Sequence, residues 1–161
     1  MGVDPGLAET GYGLVLAERG RLRAAGFGVV RTRRGPEESR LLRIFESLRA
    51  VVMEHRPEAV VIERVFYRRS FEAATQTGKA AGAAMLAAAT CGVPVFQYAP
   101  MEVKTAVTGY GAADKRQVAF MVQQILGLEE EPPEHASDAL ALCICHLHMT
   151  PALAGKPPEG R

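Results

Sequence analysis

No stretch of this sequence is apolar for long enough to cross a bilayer. The longest, Ala80 to Cys91, is interrupted by Gly82 and falls short of the roughly 20 residues a membrane helix needs. The N-terminus lacks the basic-then-apolar pattern of a secretory signal and enters an apolar strand at once, so a cytoplasmic setting is expected. Cysteine is scarce. Cys91, Cys143 and Cys145 are odd in number and have no framework spacing, which argues against a disulfide scaffold and fits reduced, buried thiols. There are no internal repeats. Acid and base nearly cancel, at a formal net charge of +1, so strongly salt-dependent binding to a polyanion is expected only if the basic residues share one face.

Against these shortages stands a composition of 48% hydrophobic and 23% charged residues over 161 positions, enough for one domain with a real core. We expect that domain over residues 1–150, with the Pro- and Gly-rich residues 151–161 as a flexible tail. The small net charge hides an asymmetry. Fifteen of the nineteen basic residues are arginine, eight of them between Arg19 and Arg43. Arg64, Arg68 and Arg69 follow Glu63, while acid gathers at Glu129–Glu131. Arginine suits bidentate phosphate contacts, although the first cluster reads equally well as a solvated surface.

The pattern predicts strands over Met1–Val3, Tyr12–Ala17 and Leu22–Arg31, the last two joined by a hairpin at Gly20. Gly6, Gly11 and Gly13 read as tightening the turn after the first strand. Apolar residues at Leu41, Leu42, Ile44, Phe45, Leu48, Val51 and Val52 predict a helix over Pro36–Arg56, stopped by Pro57. Ala59–Ile62 is a strand buried on both faces. An alanine-rich helix follows over Phe71–Thr90, a short strand over Val93–Gln97 and a helical turn over Pro100–Val107. Asp114 caps a helix to Leu126, and a last helix covers Ala136–Met149. Three strands in succession, then two reached through helices, predict a mixed sheet, antiparallel on one side and parallel on the other, with helices on both faces.

The strongest chemical signal is where the carboxylates fall. The first strand runs into Asp4 and the fourth into Glu63, while His135 and Asp138 share one face of the last helix. Carboxylates gathered at a sheet rim repel one another unless a cation lies between them. Hard oxygen donors suit Mg²⁺ or Mn²⁺, and phosphate chemistry is the common use of such a site. Cys143-x-Cys145-His146-x-His148 has the look of a metal motif, but on a helix those side chains diverge. Gly11 and Gly13 do not complete a dinucleotide-binding fingerprint.

Four stretches together resemble the RuvC family of Holliday-junction resolvases, within the ribonuclease H-like superfamily. They are Gly2-Val3-Asp4-Pro5-Gly6 with Thr10–Gly13; Val61–Phe66; Val103-Lys104 with Asp114–Val118; and Asp138–Leu142. The resemblance runs in order over nearly the whole chain. It implies an α/β ribonuclease H-like fold with a five-stranded mixed sheet. It implies metal-dependent cleavage of a four-way DNA junction by paired symmetric nicks, with two Mg²⁺ or Mn²⁺ ions per site. By that resemblance Asp4 is the bridging ligand, Glu63 and Asp138 complete the shell, and His135 is a ligand or water-orienting base. Lys104 and Lys115 neutralise phosphate charge. Phe66 contacts unstacked bases, with Tyr67, Arg68, Arg69 and Lys79 as further DNA contacts. A homodimer and the RuvA–RuvB branch-migration complex are the implied partners.

The chain departs from the family pattern twice. His135 stands where many members have aspartate, which bears on metal preference because imidazole favours softer ions. Fewer residues precede Asp-Pro-Gly than is usual, so a short first strand is expected. Competing readings are a ribonuclease H-like nuclease for another substrate, such as an RNA–DNA hybrid, and a non-catalytic junction-binding protein. An actin-like or sugar-kinase ATPase fragment also starts with a strand, Asp-x-Gly and a hairpin. It would need a second such domain and an adenosine-binding segment.

Overall fold

The computed structural model describes residues 1–64 and 70–150. Five strands, β1 (Gly2–Asp4), β2 (Glu9–Glu18), β3 (Arg21–Arg31), β4 (Val60–Glu63) and β5 (Val95–Tyr98), form one sheet in the order β3-β2-β1-β4-β5. β3, β2 and β1 pair antiparallel, while β1–β4 and β4–β5 are parallel. This is the mixed sheet expected from the order of elements. The hairpin between β2 and β3 turns on Arg19 and Gly20, both at positive φ (50° and 76°). That is the two-residue geometry whose twist matches the strands it joins. β2 is longer than its hydrophobic run suggested, because Glu9 to Gly11 pair with Arg31 to Val29. Ladder hydrogen bonding is indifferent to side-chain polarity.

Helices cover both faces. α1 (Glu37–His55) and α2 (Phe71–Ala89) pack together on one. α3 (Pro100–Thr108), α4 (Lys115–Leu126) and α5 (Glu134–Met149) lie on the other. Alternation along β4 divides the core: Val60 and Ile62 join the α1–α2 side, Val61 the α3–α5 side. Pro36 precedes α1 in extended conformation, and Arg56 ends it in the left-handed region. Asp114 caps α4 by accepting from the Gln117 amide at 2.9 Å, with Gln117 accepting in return from the Asp114 amide. This capping box satisfies two orphan amides at the helix start. α5 begins at Glu134 rather than Ala136, so His135 lies within its first turn.

α5 is the central element of its side. It rests on β1 and β2, and its residues Ala139 to Cys145 are buried. Glycine makes that approach possible. A Cβ on Gly2 would lie 1.9 Å from the Ala139 carbonyl oxygen, and one on Gly11 1.9 Å from the His135 carbonyl oxygen. Gly11 and Gly13 therefore do not tighten a turn. They sit within β2 and clear the path of the last helix.

Candidate active site

β1 and β4 run parallel with Val3 opposite Ile62, so Asp4 and Glu63 emerge side by side one step further on. α5 crosses the same edge and brings His135 and Asp138 down to it. Asp4, Glu63, His135 and Asp138, with Lys104 of α3 and Lys115 of α4, line one cleft of about 230 Å³. Its apolar wall includes Val103, Val118 and Leu142. Six of the residues singled out in the sequence thus line one cleft, from five elements. The loop after Asp4 is pinned by Thr10, fully buried, whose hydroxyl donates to the Gly6 carbonyl at 2.7 Å.

The charges are tightly interlocked. His135 Nδ1 lies 2.7 Å from Asp4 Oδ2, and its Nε2 lies 3.5 Å from Glu9 Oε2. The hydrogen bond to Asp4 raises the His135 pKa against the opposing effect of burial, with the charges of Asp4, Glu9 and Asp138 adding to it. Asp138 is pushed up from the ordinary aspartate value by burial and by the neighbouring Asp4 charge, with Lys115 opposing. Lys115 donates to Asp138 Oδ2 at 3.3 Å and, more closely, to Glu134 Oε1. Burial lowers the Lys115 pKa, but those two carboxylates overcome the effect and leave it raised.

A carboxyl destabilised by a like charge marks a place where a cation is favoured. The hard oxygens of Asp4, Glu63 and Asp138 are suited in kind to Mg²⁺ or Mn²⁺. The donors fit such an ion chemically, yet among the described residues no three His, Cys, Asp or Glu side chains stand as a preassembled ligand set. Asp4 is contacted by His135, and Asp138 by Lys115.

Other expected positions lie elsewhere. Lys79 of α2 does not line this cleft and pairs with Glu37 at the start of α1. Phe66, Tyr67, Arg68 and Arg69 lie outside the described residues, as does the tail from 151. Much of the first arginine cluster is engaged structurally. Arg23 pairs with Glu18, Arg31 with Glu9, and Arg40 and Arg43 donate to Thr32 and to the Arg31 carbonyl. The Cys-x-Cys-His-x-His side chains find separate partners. Cys143 donates to the Gly13 carbonyl, His146 meets the Tyr98 hydroxyl at 2.9 Å, and His148 meets the Ala106 carbonyl. Burial pushes the Cys145 thiol up to about 11. Glu9 and Glu134 were missed by the sequence reading. Each is a single surface-type acid, and only the fold shows that they flank His135 and Lys115.

A sheet of three antiparallel and two parallel strands, carrying carboxylates at the adjacent ends of β1 and β4 and a third on the crossing helix, defines a ribonuclease H-like nuclease. The model of the crossover junction endodeoxyribonuclease RuvC family matches residues 1–146. A crossover junction endodeoxyribonuclease RuvC from Syntrophomonas wolfei is 47% identical over 150 residues, covering 92% of this chain and 87% of the relative. The structure of Thermus thermophilus RuvC superposes with a TM-score of 0.86 at 41% identity, covering 97% of both chains. T. thermophilus RuvC in complex with a Holliday junction substrate gives a TM-score of 0.88 at 41% identity, covering 97% of this chain and 96% of that one. The chain belongs to the RuvC family.

Proposed function

We propose that this chain resolves four-way DNA junctions by paired symmetric nicks, as a divalent-metal-dependent endonuclease. The observation that carries this is the convergence of Asp4, Glu63, His135, Asp138, Lys104 and Lys115 on one cleft at the sheet edge, in a chain of this family. Nucleases of the family depend in general on a divalent metal. Here Asp4, Glu63 and Asp138 would hold it, with His135 as the fourth donor or as a base that orients water. Bound there, Mg²⁺ or Mn²⁺, two ions in the family pattern, would lower the pKa of a water and relieve charge on the leaving oxygen.

The protein's own groups do the rest. Asp4 is only 16% exposed, at the end of a strand locked on both sides, so its carboxylate is held where a scissile phosphate would dock. Lys104 and Lys115 face the cleft from separate helices and would neutralise the charge that grows on the phosphate oxygens. Phe66, Tyr67, Arg68 and Arg69 follow β4 directly and would engage the unstacked bases at the crossover, with Lys79 contacting DNA further along. A second copy of this chain supplies the second cut. On α2, a Cβ at Gly78 or Gly82 would meet no atom within 4 Å among the described residues, and Leu86 is exposed. These three recur every four residues on one stripe, a face on which the helix of a second copy fits closely. The RuvA–RuvB complex would deliver the junction. A cytoplasmic setting fits a DNA substrate, and among the described residues no helix is long and apolar enough to cross a membrane.

Cleavage of a mobile four-way junction, with linear duplex and RNA–DNA hybrid beside it, tests the reading. We expect paired nicks in the junction alone, absent with EDTA. Asp4→Asn should slow cleavage by at least about 10²-fold while junction binding in EDTA persists. Binding without nicks under Mg²⁺ or Mn²⁺ would identify a non-catalytic junction binder, and cutting of the hybrid a different nuclease.

A further inference from the structure

Glu9 lies at the start of β2, outside the set of residues that the sequence pattern assigns to the site. Its carboxylate is divided between two partners. Oε1 accepts from Arg31 Nε at 2.8 Å, and Oε2 stands 3.5 Å from His135 Nε2. Arg31 is also the cross-strand neighbour of Glu9 in the β2–β3 ladder, so backbone register and ion pair together fix where this carboxylate points. The opposite edge of the imidazole meets Asp4, at 2.7 Å through Nδ1. The ring therefore bridges a carboxylate of the cleft and a carboxylate outside it.

That arrangement has a known physical use. A histidine that ligates a metal or directs a water through one nitrogen is held by a carboxylate on the other. The carboxylate sets tautomer and ring orientation and raises the basicity of the working nitrogen. We propose that Glu9 is a positioning residue for His135, anchored by Arg31, and that it dedicates Nδ1 to the cleft. The proposal rests on the reading of His135 as a donor of that cleft. It bears on the histidine at 135, which stands where many family members have aspartate. A ring can rotate about its side-chain torsions and present either nitrogen, whereas a short aspartate has two equivalent oxygens. Placing histidine at 135 creates a need for orientation, and Glu9 is the group that meets it. The backbone beneath is fixed as well, because the His135 carbonyl is pressed against Gly11, two residues from Glu9.

Mn²⁺ binding to the metal-stripped protein, measured by calorimetry without DNA, tests this. The proteins are wild type, Glu9→Ala, Glu9→Gln, His135→Ala and the double variant Glu9→Ala/His135→Ala. Glu9→Ala should weaken Mn²⁺ about 10- to 100-fold, with Glu9→Gln recovering part of the loss because its amide oxygen still stands beside Nε2. In the His135→Ala background, Glu9→Ala should change affinity little, since the residue through which it acts is gone. Ring ¹⁵N shifts of His135 in the metal-free protein should move in Glu9→Ala while the melting temperature stays near wild type. An equal loss of affinity with or without His135 would overturn the proposal, since Glu9 would then act only through its charge. So would wild-type binding by Glu9→Ala alongside weakened binding by His135→Ala. If neither single variant changes Mn²⁺ binding, the reading of His135 as a donor fails first and takes the proposal with it.

Discussion

Asp138 shows at the scale of one residue how the site sets activity against stability. Burial and the Asp4 charge raise its pKa above the ordinary 3.8, so the folded chain holds that proton more tightly than the unfolded chain does. Stability then falls as pH rises from the unfolded value through the folded one, and the full penalty stands above the folded pKa. Asp138→Asn should abolish cleavage and yet raise the melting temperature of the metal-free protein at pH 7, by about 2–4 °C for each kcal/mol regained. The gain should vanish below about pH 3.8, where the aspartate is neutral in both states. Thermal melts across pH check both the sign and the window. Mg²⁺ or Mn²⁺ in excess should stabilise wild type by about 2.7 kcal/mol at a hundred times its dissociation constant, and Asp138→Asn by much less.

At the scale of elements, the placement of α5 against the sheet governs the site, because that helix carries both His135 and Asp138. Gly11 permits its close approach at one end. At the other, His146 is 4% exposed and packs 4.6 Å from the Phe96 ring, its Nδ1 meeting the Tyr98 hydroxyl while Nε2 finds no hydrogen-bond partner among the described residues. Gly11→Ala should cost about 1–3 kcal/mol through overpacking. It should also slow cleavage by lifting the first turn of α5 from Asp4, which chemical denaturation and junction assays would measure side by side. Tyr98→Phe should cost about 1–3 kcal/mol by removing the hydroxyl that meets the buried imidazole at Nδ1. It should leave cleavage at low temperature near wild type, because Tyr98 holds the far end of the helix. Hydrophobic period and punctuation made the strands and helices legible beforehand, as with the Pro36–Arg56 stripe and the Asp114 cap. The reason for Gly11 and Gly13 was not legible. Glycine looks the same in sequence whether it turns a chain or makes room for a helix that arrives more than a hundred residues later.

For the whole molecule, two cuts on opposing strands need two clefts held in a fixed relation. The stripe Gly78, Gly82 and Leu86 is the face proposed to meet a second copy and set that spacing. Gly82→Glu places a charge there without touching the core, since no described residue lies within 4 Å of its Cβ position. Sedimentation should show the variant shifting to monomer, and its junction products should shift from paired to single nicks while each site stays competent. Wild-type dimer with unchanged products would remove this face from the account. The arginine cluster meets a different fate from the one its charge suggested. Arg23, Arg31, Arg40 and Arg43 are bound to neighbouring side chains or carbonyls, so composition overstates the cationic surface left for DNA.

What the sequence by itself determined is local and ordered: a strand that ends in Asp4, another that ends in Glu63, a helix with His135 and Asp138 on one face, and the motif order that places the chain in its family. Each follows from side-chain period, turn chemistry or residue type within a few positions. What only the tertiary structure decided is which charges meet. How close Asp4 comes to His135, whether Lys115 reaches Asp138 as well as Glu134, and whether Glu9 is surface or part of the site depend on distances between residues far apart along the chain. Coulomb and hydrogen-bond energies change steeply over those few ångströms, and only the packing of α5 onto β1 and β2 sets them.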